Sequence, residues 1–167
     1  MKAVVCDASP LIFLAKLNRL DLIPCVLGRH IFVLQCVVNE LQTENAGQVE
    51  RERINRFLET VEIPKFAIKK ESSSALSCSD QSTLRWAIDN DIDLLLADER
   101  LLRRVASAEG IAVSGFIGLL VAAAERGHIT VCEARDAVDE AVAQHGCRIS
   151  IAVYQRVMKE LGSLGAK

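Results

Sequence analysis

Apolar and polar positions follow two patterns along this chain. Short continuous apolar runs are typical of strands buried in a parallel sheet, and longer stretches with apolar residues at helical spacing are typical of covering helices. The short runs predict strands over residues 2–6, 30–34, 61–63, 93–97 and 111–113. The longer stretches predict helices over residues 9–17, 19–26, 37–43, 48–58, 79–88, 99–108, 116–126, 131–144 and 151–161.

Serine, proline and glycine set several of the predicted helix boundaries. Ser9 at a capping position and Pro10 in the first turn are expected to start the first helix. Pro24 is expected to interrupt the second helix, and Gly28 to close it.

Strands and helices that alternate in this way predict an α/β fold with a parallel sheet wrapped by helices. A length of 167 residues suits a single domain. We therefore assign residues 1–167 to one domain, with a core over 1–115 and a helical C-terminal extension over 116–167.

Two of the predicted strands stop on an aspartate that lies at the start of a helix. Asp7 follows the first strand, and Asp98 follows the strand over 93–97. The carboxyl ends of parallel strands form the edge at which open α/β sheets bind ligands. Two carboxylates brought together there, without a basic partner nearby in the sequence, would repel each other, and a divalent cation usually explains such a pair.

Two further acids are expected near the same edge. Asp80 opens the helix over 79–88, and Glu40 lies on the helix that leaves the second strand. Each of the three aspartates could instead cap its helix, and Glu40 could be a solvated surface charge. Together the four acids suit metal-assisted hydrolysis of a phosphodiester, which requires no serine, cysteine or histidine nucleophile.

The composition and charge of the chain restrict its expected location and the kinds of binding site that it can contain. The formal net charge of −2 argues against a protein that coats nucleic acid through bulk charge. The six cysteines form no C-x-x-C pair and the three histidines have no zinc-binding spacing, so we expect buried, reduced thiols and no zinc site. The N-terminus lacks a signal-peptide pattern and no apolar run could span a bilayer, so a cytoplasmic protein without membrane contact is expected.

Four segments resemble the acidic blocks of the PIN-domain family, which includes the VapC-type toxin ribonucleases. They read V-V-C-D-A-S-P-L-I, V-V-N-E-L, S-D-Q-S-T-L-R-W-A and L-L-L-A-D-E-R-L-L-R-R-V-A. The family's acids match Asp7, Glu40, Asp80 and Asp98 in order and spacing, and Ser9 matches a small polar residue beside the first acid. The similarity covers about residues 1–115, and the remainder resembles a prokaryotic PIN subgroup with a helical extension.

The resemblance implies a three-layer α/β/α fold and a Mg²⁺- or Mn²⁺-dependent endoribonuclease with RNA as its substrate. It also implies a homodimer, and it suggests the toxin of a toxin–antitoxin pair with an antitoxin protein as partner. The four acids would serve as metal ligands and catalytic residues, with Ser9 in support.

The third block departs from the pattern of that subgroup, which often has Gly-Glu followed by another acid two residues later. Here Ser79-Asp80 stands in that place, and Ser82 replaces the extra acid. A second metal position would be weakened, so one tightly bound metal, with a second arriving with the substrate, fits the residues. The departure also leaves open a catalytically weak PIN fold that acts as a nucleic-acid-binding or regulatory module. A haloacid-dehalogenase-like phosphatase would need a second acid where Ser9 stands.

Two surface features of the sequence have both a functional and a structural explanation. Arg100, Arg103 and Arg104 share one side of the helix after Asp98, where they could contact RNA phosphates or form a solvated face. Apolar stripes in the tail must partly cover the domain's own core, and the rest could form a dimer contact or an antitoxin groove. The stripes comprise Phe116, Leu119, Leu120 and Ala123, and Ile151, Tyr154, Val157, Met158 and Leu161.

Overall fold

The computed structural model describes residues 3–28, 30–43, 47–69 and 74–165. Its centre is a four-stranded sheet in the order β2-β1-β3-β4, and every neighbouring pair of strands is parallel. The strands are β1 (Val4–Cys6), β2 (Ile31–Phe32), β3 (Leu94–Leu96) and β4 (Ala112–Ser114). The predicted parallel sheet is confirmed, and each strand begins and ends within about two residues of its predicted bounds.

Helices make up the rest of the ordered structure. They are α1 (Ala8–Lys16), α2 (Leu22–Leu27), α3 (Gln35–Thr43), α4 (Gln48–Leu58), α5 (Cys78–Asp89), α6 (Arg100–Ala108), α7 (Phe116–Glu125), α8 (Val131–Gln144) and α9 (Ile151–Leu164). One group of helices packs around α1, which contacts α3, α4 and α7, and α5 packs against α3 and α6. The sheet between these helices gives the three-layer α/β/α arrangement. None of the helices in the described ranges is long and apolar enough to cross a membrane.

The apolar runs of the strands form the middle of the core. Val4, Val5 and Cys6 of β1 are almost fully buried, because helices cover both faces of the central strands. The predicted strand over 61–63 forms only an isolated parallel bridge between Glu62 and Phe32. Backbone hydrogen bonds continue along this edge as far as Pro64, which has no N–H with which to extend the pairing.

Two predicted helix boundaries are wrong. Ser9 does not cap α1, because the helix begins one residue earlier and Asp7 occupies the N-cap position. Pro24 does not interrupt α2, because it lies in the first turn, where the missing N–H costs no helical hydrogen bond. Gly28 ends α2 with a φ of 95°, a left-handed conformation that favours glycine.

The apolar stripes of the tail serve mainly the chain's own core. Phe116, Leu119, Leu120 and Ala123 of α7 are all buried, and so are Val157 and Leu161 of α9. Helix α7 packs against α2, α8 and α9, which accounts for its apolar surface. On α9, Tyr154 and Met158 are half-buried and Ile151 is exposed.

Candidate functional site

Asp7 lies at the end of β1, where the backbone passes directly into α1. Its N–H donates to the Leu96 carbonyl of β3, so its position is fixed by the sheet. The side chain is only 5% exposed and makes no capping hydrogen bond to α1. Asp7 is therefore not explained by helix capping, although its residue type and position would allow it.

The electrostatic surroundings of Asp7 show that four acids meet. Burial, and after it the negative charges of Asp80, Glu40 and Asp98, raise the pKa of Asp7 to about 7. The Ala8 N–H only partly offsets this rise in pKa. The structure thus brings the four predicted acids close enough to interact at the carboxyl edge of the sheet.

Asp98 is held by a contact that is distant in sequence. Its Oδ1 atom accepts a hydrogen bond of 3.1 Å from the Phe116 N–H at the start of α7, while Glu99 caps α6 in its place. Among the described residues, Oδ2 is buried and has no hydrogen-bond partner. Burial raises the pKa of Asp98 to about 6, although the Phe116 N–H and the nearby Arg103 guanidinium act to lower it.

Gly115 makes room for the Asp98 carboxylate. A Cβ atom at position 115 would overlap Asp98 Oδ1 and would lie 3.1 Å from a guanidinium nitrogen of Arg103. Any side chain larger than hydrogen would therefore displace the carboxylate. Because Gly115 follows β4, the neighbour of β3, only the strand order reveals that it faces Asp98.

Asp80 is partly occupied by a local structural role. It forms a capping box with Ser77 at the start of α5: its Oδ2 accepts from the Ser77 N–H, and its own N–H donates to Ser77 Oγ, both at 3.0 Å. The second carboxylate oxygen, Oδ1, is not used by that box. The capping explanation thus applies to Asp80 but not to Asp7 or Asp98.

The four acids and Ser9 line one cleft of about 1010 Å³. Of the three arginines on α6, only Arg103 lines it, while Arg100 and Arg104 are exposed outside the lining. Of the two alternatives for these arginines, a phosphate contact in this cleft thus suits Arg103, whereas a solvated face suits Arg100 and Arg104.

The carboxylates of the cleft are of the type that a hard divalent cation prefers, but they are not arranged as a preformed metal site. Within the four described ranges, no three His, Cys, Asp or Glu side chains are arranged to hold one metal ion together. The buried Oδ2 of Asp98 nevertheless lacks a partner, and Asp7 is buried among negative charges. Mg²⁺ often binds through one or two carboxylates and keeps several waters, so Asp7 and Asp98 could hold it with the other acids behind water.

Several residues of the site escape local sequence patterns. Gly115, Phe116 and Cys147 all lie far along the chain from the acids that they approach. Burial raises the pKa of the Cys147 thiol, and the nearby Asp98 charge adds to that rise. For Gly115, the only available signal in the sequence was a glycine close to the end of an apolar strand.

Comparison with known proteins agrees with this arrangement. No curated protein matches the chain. A family model described as "DUF3368: PIN domain" matches residues 3–163, which include the helical tail as far as α9. The PIN domain is in general a nuclease fold. The chain therefore belongs to the PIN-domain family.

Proposed function

We propose that this chain is a Mg²⁺- or Mn²⁺-dependent endoribonuclease whose site is built on Asp7, Glu40, Asp80 and Asp98. One observation supports this most strongly: Asp7 is buried at the sheet edge, where three other carboxylates act to raise its pKa, and it forms no ion pair with any described residue. Folding alone gives no reason for such an arrangement, since an unpaired buried carboxylate is destabilising.

This proposal gives the residues of the site different roles. Asp7 and Asp98 would hold the cation, and Glu40 and Asp80 would orient its water ligands. A bound divalent cation would lower the pKa of a water and offset charge on the scissile phosphate. The Phe116 N–H fixes the direction of the Asp98 carboxylate, and Arg103 supplies a positive charge beside it.

The test is RNA cleavage by the full chain with Mg²⁺ or Mn²⁺. Asp7→Asn should reduce the cleavage rate by more than about 100-fold while the protein stays folded, because a metal-holding carboxylate is lost. Asp21→Asn is the matched control, since Asp21 is exposed and makes no side-chain capping bond. Cleavage by Asp7→Asn at the wild-type rate would refute the catalytic assignment.

A nucleic-acid-binding or regulatory module without strong catalysis is the second candidate. It is favoured by the capping box that engages one Asp80 oxygen, and by the lack of a ready three-ligand set among the described residues. RNA binding by the wild type, with no metal-dependent cleavage, would select it. The phosphatase alternative has no support, because Ser9 stands where its second acid is needed and the family is a different one.

The toxin role, the antitoxin partner, the cytoplasmic location and the homodimer are further parts of the proposal. Expression in a bacterial host should arrest growth with the wild type and not with Asp7→Asn if the chain is a toxin. A dimer contact would have to use surface outside the buried stripe of α7, and Ile151 on α9 is 77% exposed. Light scattering at micromolar concentration should give the dimer mass, and a strict monomer would exclude this assembly.

A further inference from the structure

The cleft that holds the acids continues well beyond them. Besides the acids, its lining comes from α1 and from three parts of the C-terminal extension, namely α7, residues 147–149 and α9. Burial raises the pKa of the Cys147 thiol and the Asp98 charge adds to that rise, so this part of the extension lies near the acids. The C-terminal extension thus forms much of a channel that includes the candidate metal site.

The lining of this channel carries both acids and cations. Besides the four acids of the candidate site it includes Glu99, Glu125 and Glu160, and its cations are Lys16, Arg103, Arg148 and Arg156. Arg148 and Arg156 are exposed and form no ion pair with any described residue. Two unpaired guanidinium groups at the rim of a cleft are available to bind phosphates, for which their planar donor pattern is suited.

An aromatic ring is also part of the channel lining. Phe13 of α1 lines the cleft and is half-buried. Its ring stacks on Phe116 with centroids 4.7 Å apart and planes 18° apart, so the buried Phe116 holds it in place. Lys16 Nζ lies 5.8 Å from the Phe13 ring centroid, on a flexible stem that can turn aside.

We propose that this channel binds a single-stranded segment of the RNA substrate, with Arg148, Arg156 and Lys16 on its phosphates and one base packed on Phe13. The inference rests on the proposed function and assigns to the C-terminal extension a direct role in substrate binding. Backbone cations and an aromatic stacking surface are the combination by which proteins bind single strands without sequence readout. A duplex keeps its base faces stacked on one another, so it cannot use Phe13 in this way.

The experiment measures binding rather than cleavage. A fluorescent single-stranded RNA of about eight nucleotides and mixed sequence is titrated with the full-length Asp7→Asn protein in Mg²⁺ buffer. Arg148→Gln and Arg156→Gln, each added to that background, should weaken binding about tenfold. Each should also lower the slope of log affinity against log salt by about 0.7.

The matched control is Lys159→Gln, since Lys159 is exposed on α9 but does not line the cleft. It should change affinity less than about twofold. Equal weakening by all three substitutions, no effect of the two arginine substitutions, or no RNA binding at all would overturn the proposal. Tighter binding of an RNA duplex, or of a DNA strand of the same sequence, would overturn the assignment to single-stranded RNA.

Failure of the channel can be told apart from failure of the nuclease function. If the wild type cleaves RNA and the two arginine substitutions leave both binding and the KM for cleavage unchanged, the channel is wrong and the nuclease proposal stands. If arginine-dependent binding is found but the wild type cleaves nothing with either metal, the channel stands and the catalytic proposal is wrong.

Discussion

Replacing Asp7 with asparagine should stabilise the metal-free protein, and the gain should increase with pH. Burial and three neighbouring carboxylates raise the pKa of Asp7 from 3.8 to about 7 in the folded chain. Between those two values the folded state binds more protons than the unfolded state, so the free energy of unfolding falls as pH rises. Above pH 7 both states are ionised and the loss is complete.

The magnitude follows from the size of that pKa shift. Relative to the unfolded state, this pKa shift costs the folded state about 2 kcal/mol at pH 5 and about 4 kcal/mol at pH 8. Asp7→Asn removes the titrating group, so its advantage over the wild type should grow by about 2–3 kcal/mol between these pH values. The side chain is almost fully buried, so solvent screening does not reduce this figure substantially.

Urea unfolding at pH 5 and pH 8, in the presence of a chelator, measures the effect. The exposed Asp21→Asn control should show no comparable change with pH. Adding Mg²⁺ at about 100 times its dissociation constant should restore about 2.7 kcal/mol to the wild type and little to Asp7→Asn. An advantage that is independent of pH, or an Asp7→Asn protein less stable than the wild type, would refute the repulsion argument and favour a structural role for Asp7.

Two further predictions concern the residues that position the acids. Gly115→Ala should lower the free energy of unfolding by about 1–3 kcal/mol and weaken metal binding, because the added methyl overlaps the Asp98 carboxylate. Calorimetric titration with Mn²⁺ measures the loss of metal binding. The control Gly162→Ala, on the open face of α9, should leave the free energy of unfolding unchanged or raise it. Ser77→Ala should lower the free energy of unfolding by about 1 kcal/mol, because it removes half of the capping box. It should lower the rate of cleavage only if the box also positions Asp80. Thr130→Ala, which breaks the capping box of α8, is the control, and thermal melting together with a cleavage assay on both variants separates the loss of stability from the loss of activity.

The sequence predicted the parallel sheet and the two strand-ending aspartates because these depend on local patterns. A continuous apolar run, an acid and a helix start follow one another within a few residues at both Asp7 and Asp98. The order of the strands then brings the two acids together, since β1 and β3 are neighbours in register from Val4 opposite Leu94. Local pattern and sheet topology together therefore determined most of the acid cluster.

The parts that the sequence did not predict depend on contacts between distant segments. Phe116 binds a carboxylate 18 residues before it, and Arg148 reaches the cleft through the packing of α9 against α7 and α8. Helical periodicity marked Phe116 only as a core residue, and it revealed neither of these two contacts. The Ser9 cap was wrong for a different reason: both Asp7 and Ser9 are good capping residues, and the end of β1 decided which one stands at the helix boundary.

Folding does not explain why the acids at the sheet edge carry a negative charge. Asp7 and Asp98 each lie at the N-terminus of a helix, α1 and α7, where a negative charge is stabilised by the helix dipole. Both pKa values are nevertheless raised, so desolvation outweighs that stabilisation. Asparagine or serine would suit the same N-terminal position without the charge. A carboxylate at position 7 thus lowers the stability of the metal-free protein, and a divalent cation bound as in the proposed function would offset that cost.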